Sequence, residues 1–286
     1  MATTTGTLGV QTAVIKAKNL DVKNGVDLDL KPFQPAEAAM AVALKRVDVG
    51  IYAPISAVTA NNEDKAIVLI APLLWNIVYV IVAKDSPYKK VQDLKGKKVA
   101  VAEKISSAYT SSQVVFKELG MDFEKDFQVV TGPPPVQAGL LQKKDVEAAM
   151  FSDPWALQLI ASGDYRQLAW QNDIWKELTG QPMFFIGLGT YRDWVNQNRE
   201  TARRLLKTFT ECAKYIQDHP EVIEEVKDSV GLKTPQEVEL AKKRMPEIFA
   251  TEWNDKVIKN AQLIVDRSVD LKIVPKAPAE SIFVMP

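Results

Sequence analysis

The sequence predicts an α/β protein in which one strand-and-helix architecture occurs twice, and three observations carry that prediction. Strand and helix signals alternate over the first part of the chain and again after residue 97, then give way to amphipathic helices after residue 170. Leu28–Ala39 (LDLKPFQPAEAA) and Phe127–Gly139 (FQVVTGPPPVQAG) share one layout: strand, short turn, proline at a helix start, helix. Ala43–Pro54 (ALKRVDVGIYAP) and Leu140–Pro154 (LLQKKDVEAAMFSDP) share another: helix end, basic pair, Asp-Val, strand, proline.

In the first series the pattern predicts a strand at Thr7–Val10, a helix to Lys18, a strand at Leu28–Lys31, a helix at Pro35–Lys45 and a strand at Val47–Tyr52. The run Ala66–Ala83 (AIVLIAPLLWNIVYVIVA) has only Asn76 as a polar side chain and approaches membrane-spanning length. Pro72 and Asn76 interrupt it, and its Ile, Val and Tyr residues favour two buried strands, Ile67–Ile70 and Ile77–Val82. In the second series the turn Leu94-Lys95-Gly96 introduces a strand at Lys97–Val101. A helix at Ser112–Leu119, a strand at Phe127–Val130, a helix at Val136–Gln142 and a strand at Val146–Phe151 follow. Further on, Pro182–Leu188 reads as a buried strand. Asn196–Asp218 carries Ala202, Leu205, Leu206, Phe209, Ala213 and Ile216 at helical spacing, Thr234-Pro235-Gln236-Glu237 has the form of a capping box, and Asn254–Val269 offers a last amphipathic helix.

The 286 residues, 47% of them hydrophobic, suffice for substantial cores. Thirty-six Lys and Arg balance thirty-six Asp and Glu, so no net field draws the chain to nucleic acid or to an anionic membrane. The single cysteine, Cys212, and single histidine, His219, argue against an internal disulfide and against cysteine- or histidine-rich metal sites, and no cofactor is expected. Neither GxGxxG nor GxxxxGK[ST] is present. Met1-Ala2-Thr3-Thr4-Thr5-Gly6 has no basic and apolar leader, which fits either a cytoplasmic protein or a mature form with an added Met.

In open parallel sheets ligands bind beyond the carboxyl ends of the strands. The candidate contacts are therefore Gln11 and Thr12, Gln34, Tyr52, Pro54 and Ser56, Ser106, Ser107, Tyr109 and Thr110, Thr131, and Asp153 and Trp155, joined by Trp75, Asn76 and Phe184 from the apolar strands. They are hydroxyls, amides and rings, with no nucleophile beside a base. His219, in Gln217-Asp218-His219-Pro220, reads as a cation at a helix end. Ser106 and Ser107 serve either as helix caps or as ligand contacts, Trp155 either as core or as stacking platform, and Asn76 either as a bend between strands or as a contact. Lys104 and Arg192 are either solvated or anion-neutralising.

Lys84-Asp85-Ser86-Pro87 followed by Val91-Gln92-Asp93-Leu94-Lys95-Gly96-Lys97-Lys98-Val99-Ala100-Val101 resembles the signature of periplasmic solute-binding proteins of ABC importers, in the group that binds sulfonates, taurine, nitrate and thiamine precursors. Ala43–Gly50 and Asp153-Pro154 extend the resemblance. It implies the type II periplasmic-binding-protein fold, with a mixed, mostly parallel sheet in each lobe: residues 1–86 with 186–286, and 87–185. It also implies an interlobe cleft closing on a small-molecule ligand, a membrane permease as partner, a monomer, and an extracytoplasmic location with the export signal removed. No catalysis and no nucleic-acid partner are implied; the rival reading is an enzyme on the same fold, of menaquinone- or thiamine-precursor biosynthesis. The loop Ala102-Glu103-Lys104-Ile105 stands where the family has Gly-Ser or Gly-Thr, and the candidate set is rich in rings. Both features favour a planar or aromatic solute with one polar or anionic end over a small inorganic ion.

Overall fold

The computed structural model describes residues 1–4, 6–33 and 35–286, and in it the apolar run of residues 66–83 is a pair of strands broken at Asn76. The strands are β1 (Ala2–Thr3), β2 (Lys31–Pro32), β3 (Gly50–Tyr52), β4 (Ile67–Trp75), β5 (Val78–Ala83), β6 (Lys98–Val101), β7 (Gln128–Thr131), β8 (Ala148–Ser152), β9 (Tyr165–Trp170) and β10 (Phe184–Tyr191). The chain divides into a first unit, Met1–Trp75 with Phe184–Pro286, and a second, Asn76–Met183. The crossings at 75/76 and 183/184 come earlier than the expected 86/87 and 185/186, because β5 pairs with β8 and β9 and is held among them.

In the first unit β10 lies between β3 and β4 and runs antiparallel to both, so β3 and β4 share one direction. β1 and β2 pair in parallel, and the Ala2 N–H donates to the Val49 carbonyl at 2.9 Å, joining the small sheet to the start of β3. Pro72, which has no N–H for a ladder, is tolerated within β4 opposite Gly187, where the register of β10 shifts. Gly189 permits a close approach: a Cβ there would lie 2.7 Å from the Tyr52 Cβ. The outer edge of β4 is covered by the chain's last segments, with Leu69 N–H donating to Ile282 O at 2.6 Å, Val284 N–H to Leu69 O at 2.9 Å and Ala250 N–H to Leu73 O at 3.1 Å. The helix Arg199–Asp218 packs on this sheet and buries Ala202, Leu205, Phe209, Ala213 and Ile216, the face its spacing predicts, with Cys212 among them.

The second unit is one five-stranded sheet in the order β7-β6-β8-β5-β9. β6 is parallel to β7 and β8, while β5 is antiparallel to β8 and β9, so β5 alone runs against the rest. In each unit the reversed strand is the one that arrives from the other unit. None of the described helices is long and apolar enough to cross a membrane.

Two expected strands are corrected. Thr7–Val10 is a 3-10 turn, Thr7–Gly9, that runs into the helix Val10–Lys18, since Gly6 and Gly9 punctuate the segment; the strand there is the earlier Ala2–Thr3. Leu28–Lys31 contributes only Lys31 to a two-residue strand, which pairs through Lys31 N–H to Met1 O and Phe33 N–H to Thr3 O.

Candidate functional site

In the first unit the loop from β1 into the helix Val10–Lys18 is a concentration of hydroxyls. Thr3 and Thr12 share a hydrogen bond at 2.8 Å, and Thr12 also donates to the Gly9 carbonyl at 2.9 Å. Thr4 and Thr7 are 6% and 3% exposed, and among the described residues neither hydroxyl has a hydrogen-bond partner. Neither the 3-10 turn nor the helix that continues it has a side-chain cap or an acidic residue in its first turn. Uncapped N–H groups carry the positive end of the helix dipole, and two donors without acceptors stand beside them. Gly9 is required here, because a Cβ would collide with the Thr4 carbonyl oxygen.

The residues singled out from the sequence fare unevenly in this unit. Gln11 is buried and donates to the Phe209 carbonyl at 3.2 Å, so its amide is engaged in packing. Gln34 lies outside the described residues. Tyr52, at the end of β3, is buried with its phenol pushed up to about 12 by desolvation, and its ring lies against Gly189. Pro54 opens the helix Pro54–Asn62, and Ser56 in its first turn is exposed. Trp75 ends β4 and is buried. Phe184 packs against Trp253 at 5.4 Å and edge-on to Phe283 at 5.8 Å between centroids, an apolar core. Arg192 pairs with Glu280 at 3.1 Å and donates to the Ser281 carbonyl at 2.7 Å.

In the second unit the parallel neighbours β7, β6 and β8 bring Thr131, Ser106 and Ser107, and Asp153 and Trp155 to one end of the sheet. Ser106 caps the helix Ser107–Glu118, accepting from Tyr109 N–H at 3.2 Å. Thr110 donates to the Ser106 carbonyl at 3.2 Å, and Ser111 and Ser112 donate to the Ala108 carbonyl at 3.1 and 2.7 Å. Most of this hydroxyl run is therefore engaged with its own helix. Tyr109 donates to the Glu124 carboxylate, which also accepts from Lys104 at 3.1 Å, and burial followed by Glu124 raises its phenol. Its ring packs edge-on to Phe123 at 5.5 Å. Thr131 is exposed, and the buried Asp153 accepts from Leu157 N–H at 3.0 Å, holding the start of the helix Trp155–Ala161. Asn76 is a bend residue whose side-chain oxygen accepts from Val78 N–H at 2.8 Å. Trp155 is the one ring of the predicted set that stands partly exposed.

Three features escaped the sequence reading. Thr4 and Thr7 were absent from the candidates because Thr7 reads there as strand; the glycines on either side, Gly6 and Gly9, are the signal that marks a turn. Ile105, 97% exposed in the loop after β6, and Val136, 50% exposed beside Pro133 and Pro135 after β7, present apolar surface at the same end of the second unit's sheet. Apolar residues exposed where strands end are a functional signal only once burial is known.

A family model described as the NMT1-like family matches residues 5–230. The chain belongs to the NMT1-like family. It is similar to the aliphatic sulphonate binding protein SsuA of Escherichia coli, a periplasmic protein of known crystal structure, with a TM-score of 0.79 and 21% identity over 97% of this chain and 93% of that one. That likeness establishes the two-lobed fold that the sequence resemblance implied. By sequence the chain is 28% identical over 182 residues to an E. coli protein named for aliphatic-sulfonate binding, covering 62% of this chain and 54% of that one. It is 28% identical over 96 residues to the nitrate/nitrite binding protein NrtA of Synechocystis, covering 34% and 20%. The alignments thus span about half or less of these two relatives.

Proposed function

We propose that this chain is the non-catalytic solute-binding component of an ABC importer, working outside the cytoplasm with a membrane permease and capturing a small organic anion by closure of its two units. Family membership and relatives named for sulfonate and nitrate binding support the importer role. The observation that carries the ligand class is the pair of buried hydroxyls, Thr4 and Thr7, beside an uncapped helix start. A buried donor without an acceptor costs about 1–3 kcal/mol, and a sulfonate or carboxylate supplies the acceptor oxygens and the negative charge that this helix end favours.

The other end of the solute is organic. Within the second unit Trp155 is partly exposed at the same sheet end as Ile105 and Val136, whereas Tyr52, Trp75, Tyr109 and Phe184 are packed in cores. This supports a solute whose organic part meets one ring rather than a cage of rings.

Calorimetric titration and thermal shift with ethanesulfonate, hexanesulfonate, benzoate and nitrate test this reading. Saturable binding of at least one organic anion, tighter than nitrate and without turnover, is expected. Binding of nitrate alone, or consumption of the solute, would overturn it.

A further inference from the structure

Both segments where the chain crosses between the units are held, on the second unit's side, by buried polar side chains. Asn76 is fully buried. Its N–H donates to the Met183 carbonyl at 2.8 Å, its side-chain oxygen accepts from Val78 N–H at 2.8 Å and its side-chain nitrogen contacts Met183 Sδ at 3.3 Å. The Asn76 carbonyl accepts from Trp170 Nε1 at 2.6 Å, and that indole is stacked on Tyr79 with 5.4 Å between centroids. The Met183 N–H donates to Asn172 Oδ1 at 2.8 Å, and Asn172 is itself buried in the first turn of the helix Gln171–Thr179. Residues 76 and 183 are thus bonded to each other, to β5, to the end of β9 and to a helix.

One residue outward the character of the contacts changes. Trp75 and Phe184 are paired at the end of the β4–β10 ladder, and Phe184 is held by ring packing against Trp253 and Phe283. The apolar burial that holds these rings is less directional than a hydrogen bond and accommodates small rotations, whereas each bond of the buried polar network, once broken, leaves a donor or acceptor away from water. Bending therefore meets least resistance at the peptide junctions just outside that network.

We infer that Asn76 and Asn172 are positioning residues for solute capture: they make both crossing segments rigid parts of the second unit and confine the bending to the junctions Trp75–Asn76 and Met183–Phe184. The inference rests on the capture-by-closure reading given above, but its main test needs no solute.

Residue-resolved amide exchange on the full chain, measured by NMR, is that test. The amides of Asn76 and Met183 exchange as slowly as those of Val80 and Ile81 in the centre of β5, since all open only with the unit. Asn172→Ala accelerates Met183 exchange at least tenfold and leaves Val99 to Val101 unchanged. Asn172→Asp keeps the accepting oxygen, is favoured by the helix N-terminus, and restores protection. With ethanesulfonate bound, Asn172→Ala also raises the dissociation rate several-fold, which Asn172→Asp does not. Wild-type Asn76 or Met183 amides exchanging more than tenfold faster than Ile81 would overturn the inference, as would Met183 protection that is indifferent to Asn172→Ala. Failure of every organic anion to bind overturns the solute reading and leaves the exchange pattern measurable, so the two fail separately.

Discussion

The hydroxyl run Ser106–Ser112 and the threonine loop Thr3–Thr12 occupy equivalent places, each between a strand and the helix that follows, yet their chemistry is opposite. In the second unit Ser106 caps its helix and Thr110, Ser111 and Ser112 bond to carbonyls one turn back, so the hydroxyls stabilise the element that carries them. In the first unit the helix start has no side-chain cap, and among the described residues the buried Thr4 and Thr7 hydroxyls have no partner. The number of hydroxyls in a loop thus says little about ligand binding. What matters is whether the local backbone has already engaged them.

Substitutions at the two places should separate these roles. Thr7→Val and Thr4→Val each remove one hydroxyl at nearly constant shape and should weaken binding of an organic anion about 10- to 100-fold, the roughly 1.5–3 kcal/mol of a hydrogen bond to a charged group. The same variants should unfold at higher urea than wild type, by about 1 kcal/mol, because a desolvated donor without partner has gone. Weakened binding together with lowered stability would return both threonines to a structural role. Ser106→Ala should do the converse, lowering stability by about 1 kcal/mol in urea denaturation through loss of the cap and shifting affinity less than Thr7→Val does. An affinity loss as large as that of Thr7→Val would erase the contrast between the loops.

Trp155→Ala should cost about 0.5–1.5 kcal/mol of solute binding, read by calorimetry, as expected of one stacked ring. No change would leave the organic part of the solute to Ile105 and Val136. The smallest effect concerns acid. The hydrogen bond from Tyr109, then the one from Lys104, holds the Glu124 carboxyl below its ordinary value. A depressed folded-state value means that the stabilisation is present above the unfolded carboxylate pKa of about 4.3 and fades as pH falls through the folded one. Tyr109→Phe should therefore narrow its stability deficit relative to wild type between pH 6 and pH 3. The change is small, since the Glu124 side chain is 48% exposed. A deficit constant across that range would detach Glu124 from the effect.

Local physics made much of the fold legible. The β-branched Val99 and Val101 marked β6, the apolar spacing of Ala202 to Ile216 marked the longest helix, and the Thr234 and Asn254 caps accept from Glu237 and Val257 N–H as their positions suggest. The capping box is only half formed, because Glu237 accepts from Lys233 N–H rather than from that of Thr234. Sheet order was not legible. β10 enters between β3 and β4 from more than 100 residues away, and no local pattern encodes such a pairing. The rule that ligands meet strand ends placed Ser106, Thr131, Asp153 and Trp155 at one end of a sheet, whereas the burial of Gln11 and Phe184 and the exposure of Ile105 depend on tertiary packing. Ring type alone does not distinguish a stacking platform from a core, and of the five candidate rings only Trp155 is partly exposed.

The covering of β4 by residues 249–250 and 282–284 sets a schedule for synthesis. The second unit is one unbroken stretch of chain, so its sheet has all five strands once residue 170 has left the ribosome. The first unit keeps β4 waiting, first for β10 on one side and then for the last residues of the chain on the other. Until Val284 emerges, a strand of nine residues, all buried in the folded chain, has an open edge, and the nascent chain depends on whatever shields it.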